Sequence, residues 1–199
     1  MPTSRLEAFS DGVLAIIITI MVLELRVPEG PTLADLRHAA GLGLLTYVLS
    51  FVYVGIYWSN HHHLFRLVDR VDGLVLWTNL MLLFFLSLYP FTTAWMDQTR
   101  LEHQTPVVVY GVNLLLAAVS YYVLELSIFH ANGPDSRARA ALGMDTKGRV
   151  SLLLYVLGIL GAAFIGVWVG IAFYAAVAVL WIVPDRRAER YLREHGSPE

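Results

Sequence analysis

The chain has 199 residues, 57% of them apolar and only 15% charged, with a mean hydropathy of +0.60, which is too apolar for a soluble domain of this length. Its net charge of −2 comes from scattered residues and indicates no nucleic-acid or other polyanion partner, while the absence of cysteine removes disulfides, thiolate metal sites and thiol redox chemistry together. The chain reads as an all-α membrane protein forming a single domain over 1–199.

Residues 5–12 read Arg-Leu-Glu-Ala-Phe-Ser-Asp-Gly and run directly into the apolar stretch Val13 to Leu23, which closes on Glu24. An acidic residue in the polar lead and the lack of a small-residue cleavage site argue against a signal peptide, so this helix is expected to stay in the protein. Asp11 and Glu24 are thirteen residues apart, about 20 Å along a helix, which is less than the hydrocarbon thickness of about 30 Å. An ionised side chain near the bilayer centre costs about 2.5 kcal/mol or more, so the first helix should face protein or water. Gly12, Ile16, Thr19, Ile20, Leu23 and Val27 fall on one stripe at three- and four-residue spacing. The stripe alone is ordinary helix packing. Flanked by Asp11 and Glu24, it also fits an apolar constriction between two hydrated mouths, a form of gate that works by dewetting.

Thr32 followed by Asp35 predicts a helix start, read as a short surface helix leading into the second span. Ala39 to Asn60, Gly73 to Met96 and Gln104 to Leu124 are charge-free stretches of about one bilayer thickness each. The stretch from Val150 to Pro184 is too long for one span and fits two shorter ones, with a tight turn near Gly166 to Gly170. The predicted spans are 5–27, 39–65, 72–96, 105–130, 149–165 and 167–184, followed by a solvated tail over 185–199. Eleven Lys and Arg residues then fall on the side of the termini and three, Arg26, Arg37 and Arg100, on the other. That asymmetry predicts a cell-membrane protein with both termini cytoplasmic.

His61, His62 and His63 invite a metal-site reading, but adjacent helical residues point about 100° apart and none share a face as residues four apart do. No metal site is expected. Topology instead brings Arg5, Ser10 and Asp11, the second-span residues Asn60 and His61, and Trp77 and Asn79 of the third span to one depth. A buried Asp must be paired, and Arg5, Asn60, His61 and Asn79 are the available partners, giving a polar clamp that fixes the first helix. Glu125 reads as a headgroup-level residue. No nucleophile elbow, His-Glu-x-x-His, phosphate-cradling loop or paired intramembrane aspartates occur, so an enzyme is not expected, and neither is a cofactor. A Thr-Val-Gly-Tyr-Gly carbonyl filter is absent too.

Arg5-x-x-x-Phe9-Ser10-Asp11 ahead of a long Ile/Leu helix, with Trp58-x-Asn60-His61 closing the second span, resembles the single-repeat bacterial members of the lysosomal and endosomal potassium channel family. The resemblance covers essentially the whole chain. It implies six transmembrane helices per subunit and a homotetramer in the bilayer, with the first helix of each subunit lining a central potassium-permeable pore. It places the constriction at Ile16, with Ile20 and Leu23 as further rings and Thr19 adjacent, and it gives Arg5, Ser10 and Asp11 the task of holding the pore helix. Glu24 then belongs to the pore mouth. Two other readings stand beside it: a proton channel or proton-coupled cation transporter, motivated by Asp11, Glu24, Glu125 and the histidine run, and a non-transporting membrane scaffold.

Overall fold

A computed structural model describes residues 2–142 and 146–182. Among them are eight helices: α1 (Thr3–Leu23), α2 (Leu33–Phe65), α3 (Gly73–Ser87), α4 (Tyr89–Gln98), α5 (Gln104–Asn132), α6 (Arg137–Leu142), α7 (Thr146–Phe164) and α8 (Val167–Ile182). Five stretches are long and apolar enough to cross a membrane: α1, α2, α3 with α4, α5, and α7 from Lys147; α8 is a shorter apolar helix. The tail expected over 185–199 lies outside the described residues, as do the last residues of the span expected to reach Pro184.

The helix count exceeds six for two local reasons. The third apolar stretch is broken at Leu88, because Pro90 sits in the first turn of α4, where its missing N–H removes a bond the continuing helix would need. The other extra helix is α6, two turns within the hydrophilic connection after α5.

Thr32 caps α2 as a two-way device. Its hydroxyl oxygen accepts from the Asp35 N–H at 3.2 Å, and the Asp35 carboxylate accepts from the Thr32 N–H at 2.9 Å. No separate surface helix precedes the second span, contrary to the reading of the sequence. Once capped, the chain meets neither glycine pair nor proline that would end the helix, and α2 runs unbroken for 33 residues.

Helix α5 is the centre of the bundle, packed on α3, α4, α7 and α8, while α1 leans on α2, α3 and α4. Inside a membrane a buried polar group needs a protein partner, and Tyr53, Tyr110 and Tyr174 around α5 find theirs across helices. The Ser50 hydroxyl of α2 lies 2.7 Å from Thr93 Oγ1 of α4 and 3.0 Å from Tyr110 Oη of α5. The Tyr53 hydroxyl donates to the Tyr174 carbonyl of α8 at 2.6 Å, and the Tyr174 hydroxyl donates to the Val107 carbonyl of α5 at 3.3 Å. These bonds tie α2, α4, α5 and α8 into one core.

Close approach at Gly111 makes the last of these contacts possible. A Cβ there would stand 1.9 Å from the Tyr174 hydroxyl oxygen and 2.9 Å from Ile159, so the ring and α7 can reach α5 only over a bare backbone. Gly111→Ala is therefore expected to destabilise the fold by about 1–3 kcal/mol through overpacking. Thermal or SDS-induced unfolding in detergent measures it, and a variant as stable as the parent would show that Tyr174 can relocate freely.

Candidate pore helix and its polar anchor

Two faces of α1 have opposite environments. Leu6, Ser10, Leu14, Ile17 and Met21 recur at four- and three-residue intervals and are buried against the rest of the chain. The other side carries Phe9, Gly12, Ile16, Thr19, Ile20 and Leu23, all exposed, with Ile16 at 59% and Leu23 at 79% of their full surface. Thr19 turns its hydroxyl back to the Ile16 carbonyl at 2.9 Å, which satisfies the polar group within the helix and leaves its methyl on the stripe. The helix ends at Leu23, with Glu24 as its C-cap. Val27, expected to continue the stripe, lies beyond the helix and is exposed. Glu24 borders a shallow recess with Phe91, Trp95 and Gln98 of α4.

A hydrogen-bonded chain pins the buried face at the N-terminal end. His61 Nε2 of α2 lies 2.8 Å from Asn79 Oδ1 of α3, Asn79 Nδ2 donates to Ser10 Oγ at 3.0 Å, and the Ser10 hydroxyl donates to the Leu6 carbonyl at 3.0 Å. With Asn79 accepting, His61 holds its proton on Nε2. All three side chains are buried, and the His61 ring stacks on Phe65 with centroids 4.3 Å apart. One amide thus joins three helices.

Around this chain, the other residues singled out from the sequence take different positions. Asp11 is half-buried beside the anchor, within electrostatic reach of His61, and its Oδ1 has no hydrogen-bond partner among the described residues. Arg5 is exposed. Asn60 offers its carbonyl to the Tyr121 hydroxyl at 3.1 Å. Trp58 is half-exposed and stacks near-parallel on His62, centroids 6.5 Å apart. The three histidines diverge as helical geometry requires: His61 to Asn79, His62 to Glu7, His63 to the Ser59 carbonyl.

Glu7 was missed in the sequence. Its carboxylate lies 2.6 Å from His62 Nδ1, a second tie between α1 and α2 one turn below Ser10. The available signal was its four-residue spacing from Asp11, which puts both acids on one side of the helix.

The fold defines a multi-pass helical membrane protein. Comparison with known proteins then places it. Residues 5–90 match the family model described as endosomal/lysosomal potassium channel TMEM175. A potassium channel of Chryseobacterium sp. (strain P1-3) is 48% identical over 98% of this chain and 100% of its own length. The crystal structure of a lysosomal potassium-selective channel TMEM175 homologue from Chamaesiphon minutus superposes with a TM-score of 0.73, at 27% identity, over 91% of this chain and 96% of that one. The endosomal/lysosomal proton channel TMEM175 of Gallus gallus is 26% identical over 63% of this chain and 28% of its own. The chain belongs to the TMEM175 family of ion channels, and it is not an enzyme.

Asn79→Leu removes the amide that both Ser10 and His61 use, leaving the buried His61 Nε2 unpaired while Ser10 keeps its bond to the Leu6 carbonyl, and is expected to cost about 2 kcal/mol. In a double-mutant cycle with Ser10→Ala, the coupling should be about 0.6 kcal/mol and no more than about 1.7, the mean and maximum for interhelical hydrogen bonds in membrane proteins. SDS-induced unfolding of the four proteins reads both quantities. Strict additivity would show that the bond contributes nothing.

Proposed function

We propose that the chain is one subunit of a homotetrameric, potassium-permeable channel of the cell membrane, with six spans, both termini cytoplasmic and α1 lining a central pore. The third span in this reading is α3 with α4, and the sixth is α8 extended towards Pro184. One observation carries the proposal: the apolar stripe of α1 is uncovered in the single subunit, while the opposite face is locked into the bundle. A helix flanked by Asp11 and Glu24 is a poor lipid-facing surface, so its open stripe is better used around a shared axis.

Ile16 forms the first ring of the constriction, Ile20 and Leu23 the further rings, and Thr19 stands between them. Glu24 marks the outer mouth. Arg5, Phe9, Ser10, Asp11, Trp58, Asn60, His61 and Asn79 form the structure that holds the helix. Apolar rings supply no oxygen ligands, so a cation passes only with its hydration shell disturbed and uncompensated. Selection of K⁺ over Na⁺ then rests on the lower dehydration cost of the larger ion, and moderate selectivity without a carbonyl filter follows. No cofactor takes part.

The proton channel named from Gallus gallus favours a second reading, proton conduction, and the Glu7–His62 pair with Asp11 near His61 gives it ionisable groups at the base of α1. The discriminating measurement is potassium flux into liposomes held at equal pH on both sides. Flux under those conditions supports the potassium channel; its absence with proton flux present supports the proton reading, and no flux at all supports a scaffold.

Ile16→Asn is expected to wet the constriction, raising single-channel conductance several-fold and lowering the K⁺ over Na⁺ permeability ratio in planar bilayers. Unchanged currents would remove Ile16 from the pore. Asp11→Ala is expected to weaken assembly more than permeation, seen as loss of the tetramer in size-exclusion with light scattering. An intact tetramer of normal thermal stability would refute a holding role for Asp11.

A further inference from the structure

One internal space of the subunit lies away from α1, between α2 and the α7–α8 hairpin. Helix α7 packs closely on α5 and α8 but not on α2. The gap between them is a cavity of about 250 Å³. Its walls come from matching eight-residue stretches, Tyr53 to Asn60 of α2, Ala118 to Glu125 of α5 and Gly148 to Tyr155 of α7, closed on one side by Trp181 of α8. The seven steps between eight helical residues span about 10 Å, so the three helices line one slot of that depth, with Tyr53 and Tyr155 at its inner end, ring centroids 6.3 Å apart. Asn60, Glu125 and Arg149 stand at the rim.

Three polar tips of the wall are already used. The Tyr121 hydroxyl donates to the Asn60 carbonyl, Trp181 Nε1 donates to Ser151 Oγ at 2.8 Å, and the Tyr53 hydroxyl donates to the Tyr174 carbonyl. What the wall offers is therefore aromatic ring surface, from Tyr57, Tyr121, Tyr155 and Trp181. Ring faces carry negative potential and attract cations. The structure holds one such contact at the cavity wall, the Lys147 ammonium over the Trp181 ring at 5.7 Å. The charge that faces the slot has the same preference. Of the charged groups around the slot, Arg149 is exposed and reaches water and the Lys147 ammonium lies over the Trp181 ring, whereas Glu125 is buried with 7% of its surface open. An anion placed in the slot would meet a buried carboxylate. A carboxylate accepts several hydrogen bonds at once, so Glu125 can serve a ligand as well as its neighbours.

We infer that each subunit contains a binding site for a small organic ammonium ion, its apolar body between the aromatic walls and its cationic group towards Glu125. At about 30 Å³ per water the cavity equals roughly eight waters, enough for a compact aromatic or branched aliphatic amine of about ten non-hydrogen atoms. Such a ligand would fill the gap beside α2, the helix whose last turns hold α1 through His61 and His62.

The test is direct binding, independent of conductance. Titration calorimetry on the full chain in phosphatidylcholine nanodiscs uses phenyltrimethylammonium as the cation and benzyl alcohol as the neutral control. The expected result is saturable binding of one cation per chain, with benzyl alcohol at least about tenfold weaker. Glu125→Gln should weaken the cation at least about tenfold and leave benzyl alcohol unchanged. Ala118→Phe should abolish binding by filling the slot, and Ile16→Asn should leave it unchanged, which separates the slot from the proposed pore. If Ala118→Phe fails to fold, the Glu125→Gln and Ile16→Asn results decide. No saturable binding, equal affinity for benzyl alcohol, indifference to Glu125→Gln or loss in Ile16→Asn would each overturn the site.

Discussion

Everything the first helix presents to its surroundings depends on the Asn79 side chain, which joins Ser10 of α1 to His61 of α2 inside the bundle. At about 100° per residue, Leu6, Leu14, Ile17 and Met21 all lie within about 40° of Ser10 around the helix axis, and all are buried. Ile16, Thr19 and Leu23 lie about 120° or more away, and all are exposed. Ile20, about 80° from Ser10, is the least exposed of the stripe at 43%. A polar bond at one position thus sets the rotation of 21 residues, because turning the helix would bury the stripe and leave Asn79 Nδ2 without its acceptor in an apolar interior.

The anchor holds because the helices that carry Asn79 and His61 are themselves fixed. Apolar packing between membrane helices discriminates weakly against lipid, so position has to come from close backbone approach and from polar bonds that only one arrangement satisfies. Gly111 against Tyr174 supplies the first, and the Ser50, Thr93 and Tyr110 triangle the second. Both meet at α5. Helix α5 thus gathers α3, α4, α7 and α8 around it, and α2 runs along the edge of that group, bonded to it at Ser50 and Tyr53 and separated from α7 by the aromatic slot.

How much of this could be read in advance follows from the range of each interaction. Helical class and apolar helix lengths depend on composition in a window, and the Thr32–Asp35 cap on four consecutive residues, so both were legible. Pro90 was visible too, but whether it ends a helix or only bends it depends on how the next turn packs. The stripe of α1 was legible as residues sharing a side; which side faces away from the subunit was not, since that requires Ser10 to find Asn79 sixty-nine positions on. Depth alone brought His61 and Asn79 to Ser10 and Asp11 but could not rank the acceptors, and the amide went to Ser10. The side of α1 that carries Glu7 was legible from its spacing to Asp11, but its partner His62 and the aromatic slot were not, because each depends on the lateral spacing of helices far apart in sequence.

Asp11 is where the proposed tetramer would act on the single chain. Its Oδ1 is buried without a partner among the described residues, in a structure whose neighbouring Ser10, Asn79 and His61 form a continuous donor chain. A buried acceptor left unpaired costs about 1–3 kcal/mol, a burden that a water or a group from outside the subunit would relieve. The uncovered stripe is a second deficit on the same helix, since Ile16, Ile20 and Leu23 together leave a continuous apolar surface beside two acids. The proposed tetramer answers both at once. Copies of α1 around one axis would bring neighbouring subunits against the Asp11 side of the helix while the stripe turns to the shared lumen, so one rotation of α1, set by Asn79, would serve the assembly and the permeation path together.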